Sequence, residues 1–506
     1  MAQKARPGAW LAGGTALVHL GTAIASPYEL HRDELLYAAM GTHLQWWRMD
    51  FPPLIALLAN AQRALFGDAV WGLRVLPALA AATLVWLACD TARRLGGTPA
   101  AQCLAGLCVA ANAVFLRTGS LFQPVVFDQL WWTLGLWALL RRALDDERRW
   151  WLVVGLAFGL GLLTKFSIAF IGVGVLVGTV VAATRRDLAT PWPWGAALLA
   201  IGVGSASLTG QLALGWPVVG QMRDLSATQL DLVTPGQFVR EQLLTGPAVL
   251  VACIGVLRLV RDRAQSGARA VGVACATAFG LLLALHGKSY YVAPIYPVLY
   301  GAGASQLSQW GEVLWQRRSR WLVHGLSGLQ CAYGLLILPM GLPVLPPALM
   351  ARYTAWLTGS DVTNTGAPIA IPQDYADMLG WRETADTVAR VWQSLPPATR
   401  DSAVLVGFNY GRAGALDWYG PSRGVPRPVA PLGSYWFWGY GDRPGTVAVT
   451  IGGTPEFLAT YWSEVTLAAT YRNRWRVAEE REVRVYVVRG AGQPLARLWR
   501  EFEGRN

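Results

Sequence analysis

Apolar runs of about 18 to 22 residues recur through the first two-thirds of the chain, the length a helix needs to cross a hydrocarbon core of about 30 Å. In lipid every backbone N–H and C=O must be satisfied within the protein, so such runs fold as spanning helices. Spans are expected near 8–26, 70–91, 99–117, 121–140, 150–164, 166–184, 193–214, 241–259, 267–286, 291–309 and 321–340. The fold class is therefore a polytopic α-helical membrane protein with about eleven transmembrane helices. The pair 150–164 and 166–184 also reads as one long kinked span. Hydrophobic residues make up 53% of the 506 and charged residues 15%, against roughly 25% charged in a soluble domain. The first run follows Lys4 and Arg6 and ends at Ala23-Ile24-Ala25, which is also the layout of a signal peptide. Cleaved or not, it sends residue 27 onward to the far side.

The formal charge of +12 raises the question of nucleic acid, but the arginines sit in short clusters between apolar runs. Arg93-Arg94, Arg141-Arg142, Arg148-Arg149, Arg185-Arg186 and Arg317-Arg318 fall on the side that a cytoplasmic N-terminus makes cytoplasmic, as do Arg258, Arg261, Arg263, Arg269 and Arg320. The basic balance thus reports orientation, and no nucleic-acid partner is expected. An odd number of spans places the C-terminal segment outside. The six cysteines lie in or beside apolar runs without metal-like or redox-like pairing and read as small buried hydrophobes.

Two external loops are too long to be turns, 27–69 and 216–240. The first carries Leu35, Leu36, Ala39 and Met40, then Leu54, Leu57 and Leu58, at helical spacing around Pro52-Pro53. It reads as two amphipathic helices on the membrane surface. After Pro343, Pro346 and Pro347 the texture changes to that of an external α/β domain over 341–506. A helix is expected at 374–394, with strands at 403–408, 446–451 and 483–488, forming a small open sheet covered by helices. Residues 1–340, with the loop 27–69, then form the membrane domain.

Ionisable residues in or beside a membrane are costly, and each invites a function. Asp33-Glu34 opens the first surface helix, where acids are also favoured by the helix dipole. Asp128, in Phe122-Gln123-Pro124-Val125-Val126-Phe127-Asp128, lies at the external end of the fourth span. It needs a partner, for which Arg117 is available, or a chemical task. Lys165 and Lys288 fall at external span ends against the positive-inside trend. They either snorkel to water or clamp a phosphate as point charges. Tyr290, Tyr291 and Tyr296 around Lys288 can bond phosphate or pack along a lipid chain. Asp145-Asp146-Glu147 reads as a solvated face paired with nearby arginines, and no histidine spacing suggests zinc. External acids with external cations suit one reaction, attack of an acceptor hydroxyl on a sugar carried by lipid phosphate.

Asp33-Glu34-Leu35-Leu36-Tyr37, Asp50-Phe51-Pro52-Pro53-Leu54, Leu65-Phe66-Gly67-Asp68, Gly161-Leu162-Leu163-Thr164-Lys165 and Gly287-Lys288-Ser289-Tyr290-Tyr291 with Pro294-Ile295-Tyr296-Pro297 follow one another in an order that resembles bacterial glycosyltransferase family 39. That family is similar to protein O-mannosyltransferases and lipid A aminoarabinose transferases. Asn409-Tyr410-Gly411, Gly414-Ala415-Leu416-Asp417, Tyr419-Gly420-Pro421 and Ser434-Tyr435-Trp436 look like its C-terminal part. The resemblance implies a GT-C fold, a polyprenyl-phosphate sugar donor, catalysis on the external face of a bacterial inner membrane, and a lipid, glycan or protein acceptor.

The resemblance also implies roles for individual residues. Asp33 becomes the general base or acceptor-orienting carboxylate, Glu34 the neighbour that tunes it, and Asp128 the acid of the second loop. Lys165, Lys288 and Arg74 become candidates for the carrier phosphate. No cofactor is assigned, and whether a divalent metal (Mg or Mn) is held by Asp33 and Asp128 stays open, since lysines could equally neutralise the phosphate. The pattern departs at Arg412, where relatives carry an acid, and at Leu432-Gly433, where they carry His-Asn. The alternative reading is a lipid or sugar transporter or flippase. It would favour inverted repeats with interrupted helices in both halves, which the sequence does not contain.

Overall fold

A computed structural model describes residues 7–262, 266–314, 318–490 and 493–503. Arg263 and Arg317, assigned above to the cytoplasmic face, lie outside these residues, as do Lys4 and Arg6. The chain divides into two compact units, one of Met1–Ala25, Leu73–Thr209 and Ser226–Val344, the other of Ser26–Gly72, Gly210–Leu225 and Leu345–Asn506.

The first unit is helical. Among the described residues five helices are long and apolar enough to cross a membrane: Pro7–Ala25, Val70–Arg94, Pro191–Ala213, Gly267–Ala284 and Trp321–Gly341. Two bent pairs, Pro99–Ala110 with Ala113–Gly119 (65°) and Pro235–Thr245 with Ala248–Arg261 (109°), raise the number to seven. The remaining expected spans coincide with Pro124–Leu144, Trp150–Leu162, Ile168–Val181 and Tyr296–Leu314. Each bend has a local cause. Asn112 caps the helix after the first break, its side chain accepting from the Val114 N–H at 3.0 Å. The second break falls at Gly246, whose φ is 65°, followed by Pro247. Residues 150–184 form two helices rather than one kinked span: Trp150–Leu162 packs on Pro124–Leu144, and Ile168–Val181 on Ser266–Ala284.

Helix Pro124–Leu144 begins with proline at its first turn and ends with Arg141 and Arg142 beside the negative pole of its dipole. At that end an ion-pair network gathers three of the arginine clusters, Arg93-Arg94, Arg141-Arg142 and Arg148-Arg149. Asp90 accepts from Arg93 and Arg94, Asp145 from Arg141, and Asp187 from both Arg142 and Trp151. Arg142–Asp146 and Arg149–Glu147 pairs complete it, as the sequence led one to expect for the acidic run.

The second unit joins the first loop to the C-terminal region. Helices occur at the two expected positions of this loop, Arg32–Thr42 and Leu54–Phe66, with Pro53 at the cap of the second. Sequence reasoning counted this loop with the membrane domain. In the structure its helices pack on each other and Arg32–Thr42 packs on helix Tyr410–Tyr419, because Leu36, Ala39, Met40 and Ala56 share one apolar cluster with Ala413, Ala430 and Tyr435. Glu29 tightens the join by accepting from the N–H groups of Trp381 and Arg382 at 2.9 and 3.0 Å, capping helix Trp381–Ser394.

Strands β1 (Asp361–Val362) and β2 (Pro368–Ile369) form a small hairpin. Strands β3 (Val404–Gly407), β4 (Val447–Ile451), β5 (Glu464–Arg472) and β6 (Glu482–Arg489) form a mixed sheet of order β3-β4-β6-β5, parallel only between β3 and β4. Val404, Val406, Ala448, Tyr486 and Val488 pack with Leu495, Leu498 and Trp499 of helix Pro494–Glu501. Sequence reasoning found three of these four strands and missed β5, an edge strand with mostly exposed residues. Its alternation carries little apolar signal because neither face is deeply covered.

Candidate active site

In the first unit the end of Pro124–Leu144 opposite the arginines holds Asp128. At 1.5 Å per residue, the 13 residues from Asp128 to Arg141 separate them by about 20 Å. Asp128 is buried, and its carboxylate is held from two sides: Oδ1 accepts from Trp132 Nε1 at 3.0 Å and Oδ2 from Ser167 Oγ at 2.8 Å. The anticipated ion pair with Arg117 is not among its contacts; the Arg117 guanidinium donates to the Met340 carbonyl instead. The charge acting on Asp128 is that of Lys165.

Lys165 stands in the break between Trp150–Leu162 and Ile168–Val181. Its ammonium lies 4.3 Å from the centre of the Tyr291 ring, a cation–π contact. Tyr291 meets Tyr290 edge to face at 4.8 Å, and both belong to the short 3-10 helix Ser289–Ile295. That helix is tied to Pro124–Leu144 through Thr133 Oγ1, which donates to the Pro294 carbonyl at 2.8 Å. Asp128, Lys165, Tyr290 and Tyr291, far apart in sequence, therefore line one end of the helical unit. Lys288 immediately precedes the same 3-10 helix and donates to Gln229 Oε1. Arg74 is buried at the start of Val75–Arg94.

In the second unit the site is built around the start of helix Arg32–Thr42. His31 is the cap: its Nδ1 accepts from the Asp33 N–H at 3.0 Å, and Glu34 Oε2 accepts from the His31 N–H at 2.7 Å, closing a reciprocal capping box. Glu34 is fully buried in this task. Asp33, whose side chain keeps 30% of its exposure, accepts at Oδ1 from Tyr410 Oη at 3.0 Å. Asp374 and Asp377 flank His31 Nε2 at 3.8 and 3.9 Å.

Sequence reasoning gave Asp50, Tyr410 and Ser167 no role, although the first two lie in the motifs that carry the resemblance. Asp50 is buried, and both its oxygens lie within hydrogen-bond reach of Ser434 Oγ, at 2.9 and 2.7 Å. Its carboxyl is pushed up to about 6 by burial, against the opposing bond from Ser434. Arg412, where relatives are expected to carry an acid, is locked in an ion pair with buried Glu480 at 3.0 Å. Among the described residues no group of three His, Cys, Asp or Glu is placed to hold a metal ion.

Residues 50–208 match the model of the dolichyl-phosphate-mannose-protein mannosyltransferase family. No curated protein matches the chain by sequence. Among solved structures, ArnT from Cupriavidus metallidurans bound to undecaprenyl phosphate is similar at a TM-score of 0.62 and 14% identity, over 96% of this chain and 98% of that one. The apo oligosaccharyltransferase of Archaeoglobus fulgidus is similar at 0.50 and 12% identity, over 84% of this chain and 64% of its own. The mycobacterial arabinofuranosyltransferase AftD is similar at 0.50 and 16% identity, over 96% and 42%. The chain shares its fold, the GT-C fold, with these solved structures, and the family match is confined to residues 50–208.

Proposed function

We propose that this protein transfers a sugar from a polyprenyl-phosphate carrier to a cell-envelope acceptor on the external face of the membrane, with inversion at the anomeric carbon. The observation that carries this reading is the convergence of Asp128, Lys165 and the Tyr290–Tyr291 pair at the end of the helices opposite the arginines. An anionic lipid headgroup meets a cation there, and the aromatic faces suit the first isoprene units. Fold similarity to a protein that binds undecaprenyl phosphate supports the same carrier class.

Asp33 takes the proton of the acceptor hydroxyl. The acceptor oxygen then forms its bond to the anomeric carbon while the carbon–oxygen bond to phosphate breaks, and polyprenyl phosphate leaves with the electron pair. Lys165 and Lys288 neutralise the charge that develops on the phosphate. Hexose or pentose, and lipid, glycan or protein acceptor, follow from the same chemistry.

The test is transfer of labelled sugar from undecaprenyl-phosphate mannose and undecaprenyl-phosphate arabinofuranose. The purified protein is reconstituted in liposomes, with envelope material of a deletion strain as acceptor. Asp33→Asn should lower kcat by about 100-fold or more, the usual contribution of a general base. A near-normal rate would remove Asp33 from the mechanism, and lipid movement without covalent transfer would replace the enzyme by a flippase.

A further inference from the structure

We infer that Tyr410 is a positioning residue for the transfer reaction: its hydroxyl grips Oδ1 of Asp33 and sets the direction from which the carboxylate meets the acceptor. The inference rests on the proposed role of Asp33 and adds a part for the C-terminal region that nothing else assigns. Tyr410 lies about 380 residues beyond Asp33 in the chain, yet the two side chains meet at 3.0 Å.

The placement of Tyr410 is over-determined. It is the first residue of helix Tyr410–Tyr419, which Asn409 caps by accepting from the Arg412 N–H at 2.7 Å. Asn409 in turn donates to Glu480 Oε1 at 2.6 Å, and Glu480 Oε2 holds Arg412 at 3.0 Å. On the other side the Arg32 guanidinium covers the Tyr410 ring, 5.3 Å from its centre. Arg32 can lie there because the next residue is glycine: a Cβ on Gly411 would stand 2.5 Å from Arg32 Cγ.

The chemistry of the donor fits the task. Burial, with the Asp33 charge beside it, pushes the Tyr410 phenol well above its usual range, so it stays a neutral donor. A neutral donor orients a carboxylate without adding a positive charge that would weaken it as a base. The Arg412–Glu480 pair, where relatives are expected to carry an acid, then serves to anchor the helix start that presents Tyr410.

The experiment is a double-mutant cycle in the reconstituted transfer assay with undecaprenyl-phosphate mannose and undecaprenyl-phosphate arabinofuranose. Tyr410→Phe should lower kcat by about 10- to 100-fold, as small misplacements of a reacting group do, with KM for the donor within about twofold. In the Asp33→Asn background the same substitution should change kcat by less than about twofold, since there is no base left to orient. A loss caused by partial unfolding would persist in that background, so the cycle separates folding from positioning. Full turnover of Tyr410→Phe, or a loss that multiplies independently of Asp33→Asn, overturns the inference and leaves the enzyme assignment standing. Absence of transfer by the wild type overturns both.

Discussion

Ser167 donates its hydroxyl to Asp128 Oδ2 at 2.8 Å, across the helix break that also carries Lys165. With Trp132 on the other oxygen, the buried carboxylate is satisfied by two neutral donors, one on its own helix and one in the break before Ile168–Val181. Removing one donor leaves a buried charged acceptor short of a partner, at a cost of about 1–3 kcal/mol. Ser167→Ala should therefore lower the unfolding midpoint in detergent, whereas Ser167→Thr, which keeps the hydroxyl, should recover most of it.

Lys165 faces the Tyr291 ring, and among the described residues it forms no ion pair at contact distance, so its charge can meet a phosphate. A charge-assisted contact is worth about 1.5–3 kcal/mol. Lys165→Met should raise KM for the undecaprenyl-phosphate donor by about 10- to 100-fold. Lys165→Arg should rescue only in part, because the planar fork cannot occupy the place of a compact ammonium over the ring.

Asp50 makes the stability depend on pH. Its folded-state value of about 6 stands above the ordinary 3.8. Between those values the folded protein keeps a proton that the unfolded chain has released. Stability therefore falls as pH rises through the window and levels off above about 6. Glu29, pushed up to about 7 by burial and by Glu383, acts in the same direction. Asp50→Asn, which can still accept from Ser434, should raise the unfolding midpoint above pH 6 by an amount equivalent to about 1–3 kcal/mol. The two proteins should converge near pH 4. Equal midpoints at every pH would contradict the burial of this acid.

Gly255 and Gly303 mark where helices Ala248–Arg261 and Tyr296–Leu314 touch backbone to backbone. A Cβ on Gly255 would stand 2.0 Å from the Leu299 carbonyl oxygen, and one on Gly303 would stand 1.9 Å from that of Val251. Small residues permit such approach in membrane helices. Gly255→Ala should destabilise by about 1–3 kcal/mol through overpacking, read as a lower unfolding midpoint. Gly325→Ala, where nothing lies within 4 Å, should not.

Glu34 serves the cap of its own helix. Glu34→Gln retains a capping-box acceptor and should keep turnover within a few-fold, whereas Glu34→Ala should cost about 1 kcal/mol of stability. A large fall in kcat for Glu34→Gln at unchanged stability would instead give this acid a share in the chemistry.

The membrane class, the grouping of arginines at one end and the two helices of the first loop were all legible in the residues. Each follows from local physics: run length against bilayer thickness, charge between runs, and periodicity broken by Pro52-Pro53. The same local signals named Asp33, Asp128 and Lys165, since charge beside apolar sequence is visible without a fold. Partners were not legible. That Asp128 is met by Ser167 rather than Arg117, that Asp33 is met by Tyr410, and that Asp50 is met by Ser434 depends on contacts spanning about 40 to nearly 400 residues. Hydrogen-bond geometry at that separation is settled by the packing of whole helices, and only the tertiary structure decides it.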